Sequence, residues 1–376
     1  MSTETPTLNV SQIERDIKAL WGKASQSTAI DGAVSRACLS NLLIYTDELK
    51  EEEKLTGTIL EFMGKHPCRA ILIVAQPKVS ESRLEATVST HTPNIMGRKT
   101  ISCEQITLRA SGASVKELAS AVQPMLVPDL PIYLWWRGVF LAQRLLVEKM
   151  LGFADRFIYD GVGWTDLHYT VPQVASYIDK YKDTVGFTNF NWSRLRPWRE
   201  NAADFFDSRM YEKEVWDVNR LRVEYMAMPG REEGFQFRSL LFVSWLAVQL
   251  EWEPIRAKPG LDLALIQFKN KNGDPVEAEL VMLPQTSAAG QSIQKTVMSI
   301  QRKDQLQEFI IQRDHQDHVM ILSCKKGKDE GCSILRKVPH VDSSEAELLY
   351  RELGRRVRNR VFEKSFKMAA QLIEMI

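Results

Sequence analysis

Cys324 and Cys332 flank the heptapeptide KKGKDEG, with Lys325 and Lys326 directly after the first thiol. Neighbouring cations lower a thiol pKa and favour the reactive thiolate. Two cysteines at the ends of one hairpin can close a reversible disulfide when their Cα atoms come within about 7 Å. Two unrelated packing cysteines fit the same spacing. Cys38, Cys68 and Cys103 sit in apolar, strand-like runs and read as packing residues. His315-Gln-Asp-His318, beside Asp314, has the look of a metal site. In an extended segment, however, residues i and i+3 point to opposite faces, so a solvated turn is the better reading. The six histidines fall into no nucleophile-plus-base pattern, and neither H-E-x-x-H nor paired C-x-x-C occurs. The sequence therefore nominates no catalytic residue, no metal ligand and no cofactor-binding residue.

A nucleotide site needs a glycine turn. The nearest candidate is Gly161-Val-Gly163-Trp-Thr-Asp166, between a strand-like run and a helix. An Asp in the third position would repel a pyrophosphate at the helix N-terminus. The segment reads as a turn with Thr165 or Asp166 as N-cap. The G-x-G-x-x-G fingerprint and the P-loop are both absent.

Two stretches combine tryptophan with arginine. LVPDLPIYLWWRG (126–138) sends Trp135, Trp136 and Arg137 out of the carboxyl end of a short strand. Ligand and partner contacts gather at such ends in open α/β sheets, and Trp and Arg dominate protein–protein hot spots. Both rings filling a packing seam is an equally good reading. NWSRLRPWRE (191–200) interleaves Arg194, Arg196 and Arg199 with Trp192 and Trp198. That pattern can stack bases or grip phosphates. Trp198 also belongs to an apolar helical stripe, which favours a core position with the arginines in ordinary ion pairs. Arg355, Arg356, Arg358 and Arg360 form a basic face near the end of the chain, solvated by default, with an anionic ligand or acidic partner as the sharper option.

Net charge is +1 over 376 residues, which gives no electrostatic case for nucleic acid or an anionic membrane. No run approaches the roughly 18 apolar residues of a membrane span. The N-terminus lacks a signal-peptide pattern, and five cysteines suit a reducing compartment. The expectation is a soluble, cytoplasmic protein.

Elements must position these residues. Residues 1–35 read as an N-terminal arm with a helix at 10–21 and a loop at 22–32. Residues 36–190 alternate strand and helix: strands at 37–45, 66–75, 84–90, 101–110, 130–134 and 156–159, helices at 47–64, 114–125, 142–151 and 166–182. That order predicts a doubly wound, mostly parallel sheet, Rossmann-like but without the dinucleotide fingerprint, with 84–110 as an antiparallel edge. Residues 191–376 predict an α+β domain: helices at 191–210 and 235–249, closely spaced strands from 261 to 338 forming an antiparallel sheet, and a long C-terminal helix at 344–375 opened by the capping box Ser344…Glu347.

HPCRAILIV (66–74), VPDLPIYLWWRG (127–138) and NWSRLRPWRE (191–200) together resemble the glucose-6-phosphate dehydrogenase assembly protein family OpcA, in matching order and spacing. The resemblance implies a non-catalytic partner that binds glucose-6-phosphate dehydrogenase, favours its active oligomer and raises its apparent affinity for glucose 6-phosphate. It also implies, for cyanobacterial members, redox coupling to thioredoxin through cysteines, carried here to Cys324 and Cys332. Trp135, Trp136, Arg137, Arg194, Arg196 and Arg199 then become the candidate partner interface. The competing reading is an enzyme or sensor for a sugar phosphate or nucleotide at the carboxyl edge of the first sheet, with Arg137 as phosphate contact. A third, single-stranded nucleic-acid binding through 191–200, is weakened by the near-neutral charge.

Overall fold

In the computed structural model of the chain, the described residues are 15, 35–36, 38–91, 101–138, 143–161, 164, 166–207, 211–227, 230, 232–260, 263–284, 293–302, 305–327, 333–354 and 358–376. Apart from Arg15, the helix expected at 10–21 lies outside them, as do the loop at 22–32, Thr165, Cys332, Arg355 and Arg356. The chain forms two compact units that interleave along the sequence. The first comprises 1–159, 183–188 and 344–358, and the second 160–182, 189–343 and 359–376. The sequence suggests one boundary near 190. The helical segment 344–358 lies in the first unit and 160–182 in the second.

The first unit is built on β1 (Ser35–Arg36), β2 (Asn41–Thr46), β3 (Arg69–Gln76), β4 (Arg83–His91), β5 (Ile101–Ser111), β6 (Ile132–Trp136), β7 (Arg156–Tyr159) and β8 (Gly186–Asn189). Their order is β1-β5-β3-β2-β6-β7-β8, with β4 on β5. The pairs β5/β3, β3/β2, β2/β6 and β6/β7 are parallel, and β4 is antiparallel. Taken from β5 to β8, this is the 3-2-1-4-5-6 order of a dinucleotide-binding sheet. β5 itself runs parallel to β3, so only β4 is the antiparallel addition.

NLLIYT and RAILIVAQ are buried almost throughout, as central parallel strands covered on both faces must be. The helix Glu52–Met63 lays Leu55, Ile59, Phe62 and Met63 into the core. The prolines and Asp129 of the PDLP segment make a turn held by Asn41. Its Nδ2 donates to Val127 O at 2.9 Å, and its Oδ1 accepts from Val127 N at 2.7 Å. This clamp sets where β6 begins.

The second unit holds β9 (Arg220–Tyr225), β10 (Glu253–Lys258), β11 (Leu263–Lys269), β12 (Pro275–Met282), β13 (Ile293–Arg302), β14 (Gln305–Asp314), β15 (Val319–Lys326) and β16 (Ser333–Pro339), in the order β10-β11-β12-β9-β13-β14-β15-β16. Pairing is antiparallel except between β12 and β9. Leu221, Val223 and Tyr225 are buried while Arg220 and Arg222 are exposed, the period-2 pattern of a sheet with one covered face. The apolar helix Glu232–Gln249 packs on β9 and β12 and against the terminal helix Arg360–Met375.

Several expected elements differ. The helix at 191–210 is two, Phe190–Arg194 and Arg196–Asp207, joined at Leu195; Pro197 stands in the first turn of the second helix and has no N–H to donate back to Ser193, so the hydrogen-bond ladder lapses there. The helix at 344–375 is also two. Ser344 caps Glu345–Leu353, Gly354 follows it, and Asn359 caps Arg360–Met375 by accepting from Phe362 N at 3.0 Å. The segment at 114–125 is 3-10 helix around a short α-helix, Leu118–Val122. Strands β8, β9 and β10 have no counterpart in the reading. They are short, and β9 and β10 alternate charge with apolar residues.

One buried ion pair ties β3 to β5. Arg69 Nη2 lies 2.6 Å from Glu104 Oε2, with both side chains 5% exposed, and Arg69 Nη1 donates to Met125 O at 2.8 Å. Removing one partner strands the other charge. Arg69→Met should therefore lower the unfolding free energy by about 3–5 kcal/mol, and the double change Arg69→Met, Glu104→Leu should recover much of it. Urea denaturation of the two variants checks this; equal losses in both would contradict it.

Candidate functional site

In a sheet of this order, the ligand crevice opens at the carboxyl ends of the two strands where the winding reverses, here β2 and β6. Tyr45 and Thr46 end β2, and Trp136 and Arg137 leave β6. The Tyr45 and Trp136 rings stack at 3.8 Å with an interplanar angle of 6°. Both are buried. Burial, then the charge of Asp47, pushes the Tyr45 phenol well above its ordinary range, so it stays protonated. Gly138 is needed here: a Cβ would come within 2.6 Å of Tyr45 Cε1.

Arg137 closes the same place from the polar side. Its Nε and Nη2 make a fork to Glu51, both at 2.9 Å, and Nη1 donates to Glu345 at 2.9 Å. Its guanidinium also lies 5.0 Å from the Trp135 ring centre. Burial works against the charge, but the two carboxylates outweigh it and raise the Arg137 pKa, so the cation is permanent. Glu51 and Glu52 lead into the helix Glu52–Met63, where a dinucleotide sheet would present glycines and backbone N–H groups to a pyrophosphate. Carboxylates occupy that positive helix end instead, and Arg109 pairs with Glu52.

The candidate residues divide as follows. Trp135 and Trp136 are 0% and 2% exposed and pack in the core. Arg137 is 11% exposed and engaged by two carboxylates, so neither a partner nor a phosphate meets it as a free cation. Trp192 and Trp198 are core residues as well. Arg194 forms a two-point pair with Asp160 at 2.7 and 2.8 Å. The Arg199 guanidinium stacks 3.4 Å over the Trp192 ring. Arg196 is exposed and pairs with Glu200 one helical turn on.

Cys324 is buried on β15, opposite Ser333 of β16. His315 and His318 lie in the turn between β14 and β15, with His315 hydrogen-bonded to Gln294. No group of three or more metal-ligating side chains occurs among the described residues. Asp166 caps Leu167–Lys180 by accepting from Tyr169 N, in line with the capping reading of that turn.

The residues that the sequence reading missed are Tyr45, Glu51 and Glu345. Glu345 lies 208 positions from Arg137, beyond any local pattern. The acidic run Glu51–Glu53 was visible, but as a helix-end feature only.

Fold and site define a protein with the strand order of a nucleotide-binding domain whose crevice is filled by its own side chains. Two family models match the chain: the glucose-6-phosphate dehydrogenase subunit N-terminal domain over residues 61–176 and the C-terminal domain of the same subunit over 185–366. The chain belongs to this OpcA family. Relatives described as OpcA proteins of the OxPP cycle are 28% identical in Synechocystis sp. (59% of this chain, 46% of that protein) and 27% identical in Synechococcus elongatus (62% and 52%). The chain spans about half the length of these relatives. Similar solved structures include the 3-ketoreductase KijD10 from Actinomadura kijaniata, at 9% identity and TM-score 0.48 over 90% of this chain and 96% of that one. Levoglucosan dehydrogenase is similar at 12% identity and TM-score 0.43, over 90% and 94%. No described helix is long and apolar enough to cross a membrane.

Removing the Arg137 guanidinium leaves Glu51 and Glu345 facing each other. Arg137→Ala should cost about 3 kcal/mol of stability. Arg137→Lys should recover less than half, because an ammonium cannot make the two-point contact. Denaturant midpoints at constant m-value measure both; a full recovery by lysine would contradict the role of the fork.

Proposed function

We propose that this chain is a non-catalytic partner of glucose-6-phosphate dehydrogenase that favours the enzyme's active oligomer and raises its apparent affinity for glucose 6-phosphate. The observation that carries this reading is the pair of family matches covering 61–176 and 185–366. The filled crevice supports it from the physical side: the place where this fold would bind a cofactor is taken up by Tyr45, Trp136 and Arg137. The mechanism is a population shift. Binding the active arrangement tenfold more tightly than the inactive one needs only about 1.4 kcal/mol.

The topology supports a candidate docking face. Segments that leave parallel strands emerge at the same sheet edge. Leu49 after β2, Val79 after β3 and Leu145 in the helix after β6 are 48%, 40% and 73% exposed. With the tryptophans buried, these apolar side chains replace them as the contact candidates. Gel filtration of the chain with the dehydrogenase of its own organism should give a co-eluting species, and activity at low glucose 6-phosphate should rise. Leu145→Glu should weaken co-elution without changing the chain's own stability. Unchanged elution and unchanged apparent substrate affinity with the wild-type chain would contradict the proposal.

Redox control through Cys324 and Cys332, addressed by a thioredoxin, belongs to the same proposal. Its support is the hairpin register, which sets Cys324 opposite Ser333, the residue after Cys332 in sequence. Activation of the dehydrogenase should differ between oxidised and reduced wild-type chain, and Cys332→Ser should abolish the difference. The same response to reductant in variant and wild type would show the thiols to be structural.

A further inference from the structure

The sheet of the second unit has one face under helices and one face toward solvent. Leu221, Val223 and Tyr225 of β9 are buried on the covered face, where the helix Glu232–Gln249 packs. Arg220, Arg222 and Glu224 alternate with them and stand on the other face. The strand register carries that face across the sheet. A central row runs Glu279–Arg222–Val297–Ile310–Ser323–Ile334. On one side of it lies the row Glu277–Arg220–Ser299–Glu308–Lys325. On the other lies the row Val281–Glu224–Lys295–Gln312–Ile321.

This face carries apolar surface among its charges. Ile334 is 61% exposed, and Leu263, paired with Val281, is 52% exposed. Val297 and Ile310 line a cavity of about 350 Å³ together with Arg220, Arg222, Glu277 and Glu279. Arg222 is paired within the chain, donating to Glu224 and Glu279, both at 2.8 Å. Lys295 and Glu308 are not. Both are half-buried and form no ion pair among the described residues. They lie on neighbouring strands, each two residues from the Val297/Ile310 pair and on opposite sides of it. That sets them about 14 Å apart along the strands, too far to meet within one chain.

The same spacing suits a second copy of the face. Consider a two-fold axis in the plane of contact, running across the strands through Val297 and Ile310. It reverses the strand direction and lays each flanking row on the other. Lys295 of one copy then comes within one strand spacing, about 4.8 Å, of Glu308 of the other, and this happens twice. Arg220, which Glu277 approaches only to 3.9 Å, meets Glu224. Glu277 and Lys325 meet the uncharged Val281 and Ile321. No like charges face each other in the flanking rows. The angle of about 30° between aligned packed sheets moves Arg222 off its own copy. Val297 and Ile310 close on each other at the centre and lose water. We propose that the chain forms a two-fold dimer through this open sheet face, with Lys295 of each copy paired to Glu308 of the other. The dimer does not depend on the partner reading above, since it forms in the isolated chain.

Sedimentation velocity of the purified full chain alone, over a range of concentrations, tests this. A monomer–dimer equilibrium is expected. Glu308→Lys and Lys295→Glu each set like charges against each other twice across the interface, and each should raise the dimer Kd by about tenfold or more. Mixing the two variants restores opposite charges at both contacts, so the mixture should dimerise where neither variant does alone. Carrying both changes in one chain should restore the wild-type Kd in the same way. Circular dichroism of each variant checks that it is folded. Where a single variant does not fold, the chain with both changes and Ile334→Asp, at an exposed position of the same face, take its place: the first should dimerise and the second should do so more weakly. A wild-type chain that stays monomeric by itself overturns the proposal, even if the dehydrogenase covers this face. So do folded single variants that dimerise as tightly as wild type, or a mixture of folded variants that does not associate.

Discussion

One guanidinium, held from two directions, decides what the first sheet can do. Arg137 leaves β6 at the point where the winding of the sheet reverses, and Glu51 and Glu345 pin it there. Beneath it Tyr45 lies flat on Trp136. A sheet of this order ordinarily keeps that place open for a dinucleotide. Here the ion triad and the ring stack occupy it, and carboxylates stand where a pyrophosphate would rest. The same contacts fasten two helices to the sheet edge, because Glu51 precedes Glu52–Met63 and Glu345 opens Glu345–Leu353. Closing the crevice and stabilising the edge are one set of contacts.

What was legible in the sequence follows from which forces are local. β2 and β3 announced themselves as long apolar runs, and Asp166 and Ser344 as caps, because burial and capping act within a few residues. The two broken helices were hidden because their ends depend on Pro197 and Asn359, whose effects an apolar stripe conceals. β9, short and charged on one face, reads as a loop until its neighbours β12 and β13 are known. The WWRG segment was recognised as a special place, yet its role was not. Adjacent residues on a strand face opposite ways, but in a sheet covered on both faces opposite ways both lead inward. The partner of Arg137 could not be read at all, since Glu345 is contributed by a segment far away in the chain.

The arginines of 191–200 show the same limit from the other side. Arg194, Arg196 and Arg199 look alike in sequence, but each has a different environment: a buried-side pair with Asp160, an exposed pair with Glu200, and a stack on Trp192. Arg194 also lies close enough to the buried Arg238 for the two charges to act on each other. Electrostatic character is a property of a site and is set by what the fold brings together.

The central claim is that the β2/β6 crevice is filled by the chain's own side chains. Calorimetric titration of NADP⁺ and NAD⁺ into the purified chain tests it most directly. The account predicts heats no larger than dilution for both. A saturable isotherm that Trp136→Ala or Arg137→Ala then alters would contradict it.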